Sequence, residues 1–511
     1  QPKQKNLHFL FFVYDSKARL LFAQDLLAPA AQRKRIFSER KGYRNMPHHN
    51  HHFLHINIHH HQKHQTLLTE GPIPQRIISF ALPLFLGNLF QQLYNTADSL
   101  IVGNFLGSEA LAAVSSSGSL IFLMVGFFNG IALGAGVVTA RYFGAKDYET
   151  TQKSIHTTVS FGIVCGLLLM ALGIFLAPQI LIWMGTPENV LPNSVLYFRV
   201  YFCGSLAFVL YNIFVGILQS VGDSRRPLLY LIISSLTNIA LDLLFIAVLG
   251  MGVGAAALAT IISQFLSALL CLHHLTHAPR EYRISLKKLK IDRQILRQII
   301  SNGLPSGVQN SIISIANVVV QSNINAFGPT AMAGCGSYSK IEGFGFLPIT
   351  CFAMSLTTFV SQNLGAKQYD RAKKGAYFGI ICSITLAELV GITIYLASPV
   401  LISLFNREAD VVAFGVMQAH TVTLFYFLLA FSHCIAGILR GAGKAIVPML
   451  VMMVCWCVIR VSYITVAVRI VPQIQTVFWA YPLTWSLSSI VFLIYFLKAD
   501  WIHGFEKKKN A

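Results

Sequence analysis

Residues 80–107 read FALPLFLGNLFQQLYNTADSLIVGNFLG, and the fold follows from how this stretch is read. It is apolar over the roughly 20 residues a membrane-crossing helix needs, and it carries one charge, Asp98. Gln91, Asn95 and Asp98 are spaced i, i+4, i+7, so they share one helical face while Leu, Phe and Ile fill the others. An acid inside such a helix costs roughly 2.5–3.5 kcal/mol on insertion scales, so its presence calls for a reason. A second stretch, residues 231–249, repeats the pattern with Asn238 and Asp242 one helical turn apart. Two acids on two apolar helices point to a proton or cation site inside a membrane bundle. The alternative places each acid at a wet helix end.

The bulk numbers agree with a membrane reading. Of 511 residues, 54% are hydrophobic and only 12% charged, with a mean hydropathy of +0.60. That balance excludes an ordinary soluble domain. A net charge of +19 raises the question of nucleic acid. The Lys and Arg, however, fall between the apolar runs and in the first 76 residues, so the expected partner is a lipid bilayer and not nucleic acid. The nine Cys lie mostly inside apolar segments without paired spacing, and read as reduced packing residues with no metal site. No HExxH, GxSxG or Walker-type loop is present, which argues against a membrane-embedded enzyme and against ATP drive within this chain.

Twelve apolar segments follow residue 76, at about 77–102, 111–140, 154–182, 194–219, 227–249, 253–275, 298–326, 331–361, 375–405, 411–439, 446–470 and 475–497. With residue 76 in the cytoplasm, the even-numbered connections and the tail hold nearly all the loop Lys and Arg; the opposite loops offer Arg407 and Arg469. Both termini are therefore expected in the cytoplasm. The chain also repeats itself. RYFGAKDY at Arg141 returns as QNLGAKQY at Gln362, and GILQSVGDSRRP at Gly216 returns as GILRGAGKAIVP at Gly437, both offset by 221 residues. The expected fold is an all-α polytopic membrane protein, twelve transmembrane helices in two parallel six-helix repeats around a central cavity. Its divisions are a disordered extension at 1–75, repeats at 76–275 and 298–497, a cytoplasmic connector at 276–297, and a tail at 498–511. A duplication inside one chain suits alternating access by a monomer better than it suits a channel. Pro83 and Pro305 permit bends early in each repeat. Gly126, Gly130, Gly134 and Gly136 allow close helix contact.

Residues 1–75 differ from the rest, with a basic run QRKRIFSERKGYR and a tract HHNHHFLHINIHHHQKH. The apolar patch at 9–13 is too short for a signal segment or a span. The His tract is able to gather a transition metal, but the expected reading is a cytoplasmic extension or sequence upstream of the functional start.

The paired GAK loops, the GILxxxG helix ends and the LPxxxGN start, with TFVSQNLGAKQYDRAKKG, resemble the multidrug and toxic compound extrusion family in its bacterial form. The resemblance covers about residues 70–497 and implies a cation-coupled antiporter in a bacterial plasma membrane. It would export organic, often cationic and amphipathic compounds, with H+ or Na+ as coupling ion and no other cofactor. It also implies an acidic site in the first repeat. Asp98 in LYNTADSLIVG matches the first-helix acid, and Asn238 and Asp242 in TNIALDLLF match the fifth-helix pair. Tyr197, Asn212 and Thr260 occupy positions similar to further polar lining. The second repeat lacks the acids some members carry in the stretches matching LPSGVQNSIISI and FYFLLAFSHCIAG.

Counting from the expected helix ends at about 1.5 Å per residue, Asp98 and Asp242 lie at similar depth in the outer half of the membrane. Two close carboxylates in a low dielectric do not both ionise readily, so one is expected to hold a proton. Sodium also suits the oxygens of Asp98, Asn238 and Asp242. Glu342 is expected either at the cavity or in a structural hydrogen bond, Glu388 in packing or at the interface, and Arg460 against an acid or carbonyl. A flippase for lipid-linked sugars is the alternative function, but it would want arginines where this cavity offers acids.

Overall fold

The computed structural model describes residues 67–183, 188 and 190–503; within 97–124 it describes the side chains of Asp98, Ile101, Phe105, Leu106 and Ile121. The expectations for the His-rich tract, the basic run and the lysines at 507–509 lie outside the described residues. Among the described residues every regular element is helical.

In the first repeat these are α1 (Ile73–Gly144), α2 (Tyr148–Trp183), α3 (Leu191–Cys203), α4 (Ser205–Ser220), α5 (Arg225–Asp242) and α6 (Gly254–Thr276). The second contributes α7 (Arg293–Asn325), α8 (Pro329–Gly365), α9 (Tyr369–Ser403), α10 (Ala409–Val422) and α11 (Tyr426–Gly441). It ends with α12 (Ile446–Met452), α13 (Arg460–Ile470) and α14 (Ile474–Lys498). Two π-helical stretches, Leu243–Val248 after α5 and Met453–Ile459 before α13, interrupt otherwise regular spans.

Helix α1 departs from the expected boundaries. It is helical over 72 residues, through the loop expected near 103–110. That loop, GNFLGSEA, holds no proline, and its two Gly, Asn and Ser disfavour a helix by only up to about 1 kcal/mol each, so surrounding packing is able to carry the helix through it. A straight helix of that length would reach about 108 Å. Yet Leu68, before its start, and Val137, two turns before its end, meet the same turn of α8: Leu68 N–H donates to Gln362 Oε1 at 3.0 Å, and Ser361 Oγ donates to the Val137 carbonyl at 2.7 Å. The helical run therefore reverses direction. Ile101 belongs to the apolar cluster that holds Tyr197 and Ile246, and Ile121 packs against the same cluster, so the reversal lies between them.

Nine helices among the described residues are long and apolar enough to cross a membrane, or ten if the pair α3 and α4, bent by 49°, forms one span. Two of the twelve expected segments are not in that count. In segment 111–140 the side chains of 111–120 and 122–124 are not described. Segment 298–326 is helix α7, whose Asn302, Ser306, Gln309, Asn310 and Asn317 lower its hydropathy; the last four line the interior cavity and Asn302 is buried.

The repeats share their turn chemistry. Lys146 and Lys367, 221 positions apart, both take φ of 58°. Gly222 and Gly443, also 221 apart, take φ of 88° and 74°. Left-handed backbone is unfavourable for lysine, and a glycine stands two residues earlier in each GAK turn. Those glycines are needed elsewhere: a Cβ on Gly144 would overlap the Gln362 carbonyl, and one on Gly365 the Arg141 carbonyl. They let the two repeats approach, so the lysine absorbs the turn. Gly130 against Gly307 and Gly134 against Gly303 continue the same close contact along α1 and α7.

The extension expected over 1–75 ends earlier than residue 75. Leu68 and Thr69 are buried. The Leu68 carbonyl accepts from Arg371 Nη2 at 3.1 Å, and Glu70 Oε1 pairs with Lys146 Nζ at 3.4 Å. Residues 67–72 thus form a strap joining both GAK turns, because a Leu–Thr pair with free backbone groups fits the gap between them.

Candidate functional site

A cavity of about 820 Å³ lies between the repeats, within the roughly 300–1,000 Å³ of small-molecule sites. From the first repeat Asn88, Gln91, Tyr94, Asn212 and Asn238 line it; from the second, Asn317, Glu342, Arg440, Trp456 and Arg460. Polar groups from two bodies thus converge on one drug-sized space.

Behind the first-repeat wall sits the acid pair. Asp98 on α1 and Asp242, the last residue of α5, bring their carboxyl groups to hydrogen-bonding distance. Asp242 is wholly buried and Asp98 half-buried. One oxygen of each, Oδ1, is enclosed without a hydrogen-bond partner among the described residues. Tyr94 and Tyr197 lie within electrostatic reach of both acids. With its amide nitrogen turned toward the acids, Asn238 donates to Asp242 Oδ2 at 3.2 Å, and its oxygen accepts from Thr260 N–H at 3.3 Å. The π-helical turn begins directly after Asp242, a distortion common beside functional residues.

Of the residues read from sequence, Asp98, Asn238 and Asp242 are brought together, and Gln91, Asn212, Asn238 and Glu342 line the cavity. Three expected lining residues are elsewhere. Tyr197 and Thr260 are buried in the packing around the acid pair. Asn95 is exposed and is not among the residues lining the cavity, although Tyr94 beside it and Gln91 one turn earlier are. Glu342 does both things expected of it, lining the cavity and accepting from Tyr338 Oη at 3.3 Å. Glu388 Oε2 accepts from Phe427 N–H at 3.2 Å, in the first turn of α11, where that donor has no helical acceptor. Arg460 differs from expectation: it donates to Thr484 Oγ1 at 3.0 Å from Nη2 and lies over the Tyr481 ring at 4.6 Å. A planar guanidinium is satisfied by a ring face as well as by an anion.

Sequence reasoning passed over Tyr94 and Arg440. Tyr94 precedes Asp98 by four residues, a spacing that was legible. Arg440 stands in GILRGAGK, where sequence alone makes it one of the basic residues of the even-numbered connections.

A polytopic helical bundle, duplicated within one chain around a drug-sized cavity of mixed apolar and polar lining, defines a membrane transporter rather than an enzyme. The model of the MatE family matches the chain twice, over residues 83–244 and 305–466. The chain belongs to this family of transporters. It is 29% identical over 378 residues to the probable multidrug resistance protein YoeA of Bacillus subtilis, covering 72% of this chain and 81% of that protein. It is 25% identical over 385 residues to the probable multidrug resistance protein NorM of Thermotoga maritima, covering 74% of this chain and 82% of that protein. A solved structure described as the outward-facing conformation of a multidrug resistance MATE family transporter of the MOP superfamily superposes with a TM-score of 0.80. Its identity is 25%, over 87% of this chain and 99% of the other.

Proposed function

We propose that this protein exports organic compounds across a bacterial plasma membrane in exchange for protons, by alternating access of the two repeats, as a monomer with both termini in the cytoplasm. The relatives' names supply the compound class, and the cavity is of matching size. The observation that carries the coupling is the contact between the Asp98 and Asp242 carboxyl groups. Two carboxylates hydrogen-bond to each other only when a proton lies between them, and a buried pair gives up that proton in coupled steps. With the Asn238 amide assigned so that its nitrogen faces Asp242 and its oxygen accepts from Thr260 N–H, the site suits a shared proton better than a sodium ion. A sodium site would want that oxygen turned inward.

Proton entry neutralises the pair and weakens its hold on a cationic compound; proton release restores the attraction. Tyr94 and Asn238 stand between the acids and the cavity and transmit that change. The repeats meet tightly at the GAK turns, the cytoplasmic end by the Lys and Arg distribution, so this is an outward-facing state.

Dye efflux from everted vesicles, with pH and sodium gradients imposed separately, tests the reading. A pH gradient alone is expected to drive export. Asp98→Asn and Asp242→Asn should each abolish it at normal membrane insertion, the double change adding little because the pair acts as one unit. Export driven by sodium alone, or persisting in the double variant, refutes the assignment.

A further inference from the structure

We infer that residues 67–72 are a latch on the cytoplasmic end of the cavity: seated across both repeats they hold that end shut, and the cavity opens to the cytoplasm only when they leave the second repeat. This rests on the export reading above and adds the contact that gates it. The two leucines of the segment are divided between the repeats. Leu67 packs against the apolar cluster of Phe143, Ile155 and Leu218, all of the first repeat. Leu68 is buried in the cluster that holds Phe359 and Leu364 of α8 and Ala372 of α9. Its backbone bonds to the same two helices. The Leu68 N–H donates to Gln362 Oε1 at 3.0 Å, and its carbonyl accepts from Arg371 Nη2 at 3.1 Å and Asn363 Nδ2 at 3.4 Å. Arg371 Nη2 also donates to the Glu70 carbonyl at 3.2 Å. The other end of the Gln362 amide reaches the first repeat: Nε2 donates at 2.6 Å to the carbonyl of Ser220, the last residue of α4 and part of the cavity wall. One buried amide thus ties the strap, the first repeat and the second together at the edge of the cavity.

A segment that served only to begin α1 would need partners on its own repeat, yet these partners stand on the other. Being continuous with α1, the strap cannot leave the first repeat, so the second is the one it must release. Gly71, at φ of 79°, makes the corner between the buried pair Leu68–Thr69 and the helix that begins at Ile73. A Cβ there would meet Arg76 Nε at 2.9 Å, so the corner is kept for glycine. It lets the strap turn without unwinding α1, as element-end hinges do. Rocking of the repeats that parts the GAK turns would draw Leu68 from its cluster and take the Leu68 groups away from Gln362 and Arg371. The seated strap and an inward-open cavity therefore exclude each other.

The test uses the full-length chain in a cysteine-depleted background, in everted vesicles. Glu70→Cys with Arg371→Cys puts one thiol on the strap and one on the second repeat; Glu70→Cys with Lys146→Cys keeps both on the first. Each pair is linked by a short, reducible bis-thiosulfonate. Linking the first pair is expected to stop dye efflux, with recovery on reduction, and linking the second to leave efflux at its unlinked rate. Arg371→Gln, spin-labelled at Glu149→Cys and Lys374→Cys, should raise the inward-open population about tenfold, the loss of a charged hydrogen bond to the strap. Glu70→Gln removes only an exposed ion pair within the first repeat and should not move the distances. Efflux that persists with the first pair linked overturns the latch and leaves the export reading standing, and so does an equal block in both pairs. An unchanged distance distribution in Arg371→Gln overturns it as well, and decides the matter where the first thiol pair is itself inactive; where Arg371→Gln fails to fold, the cross-link decides. A cysteine-depleted chain that exports no dye under either gradient overturns the export reading and the latch with it.

Discussion

Replacing Gly130 by alanine asks whether the contact between the repeats is what holds this state closed at the GAK end. A Cβ on Gly130 would overlap the backbone of Ser306 and Gly307 on α7. No side chain is able to rotate away, so α1 and α7 must separate. Overpacking of this kind costs about 1–3 kcal/mol, and 1.4 kcal/mol is tenfold in population. The closed state should therefore lose about 5- to 150-fold against any state in which the contact is broken. Gly126→Ala is the control on the same helix, since its Cβ would lie 3.6 Å from Asn310 Cβ, an ordinary contact. Spin labels at Lys146→Cys and Lys367→Cys, in a cysteine-depleted background, report the separation of the two GAK turns by pulsed electron resonance. Gly130→Ala should move the distance distribution outward and slow export while dye binding persists; Gly126→Ala should do neither. If both variants match the parent in distance and in melting temperature, the repeats are not held by this contact and the reasoning fails.

Two further outcomes follow from the buried polar groups. Gln362 is fully buried, donating to the Ser220 carbonyl at 2.6 Å and accepting from Leu68 N–H at 3.0 Å, so Gln362→Ala strands two backbone groups at about 1–3 kcal/mol each. A lower melting temperature in detergent is expected, and likewise for a chain beginning at Pro72, whereas one beginning at Leu67 should match the full length; equal melting of all four removes the strap's role. Glu342→Gln keeps the hydrogen bond from Tyr338 and should change dye affinity without removing dependence on the pH gradient. Loss of that dependence in Glu342→Gln, with Asp98→Asn unaffected, would move the coupling site to the second repeat.

The membrane class, the duplication and the two acids were legible because each leaves a one-dimensional trace. Apolar runs of spanning length report solvent, the offset of 221 reports the repeat, and a charge inside an apolar run stands out against its neighbours. Asn238 and Asp242 were readable as a pair because one helical turn fixes their relation. What needed the tertiary structure was every relation between helices. Asp98 and Asp242 are 144 positions apart, and nothing in their local sequence says that their carboxyls touch. Helix spacing put Gln91 and Asn95 on one face, but only the packing of α5 and α7 around α1 shows which edge of that face reaches the cavity. Gly126, Gly130, Gly134 and Gly136 look alike in sequence; the crossing point of α1 and α7 leaves room at the first and last and none at the middle two. Arg440 read as a topological charge until the fold showed it lining the cavity with Nε unpartnered. Local sequence sets which faces are polar, since that depends on the period of one helix. Which polar face meets which depends on how fourteen helices share one interior, and that is decided only when they pack.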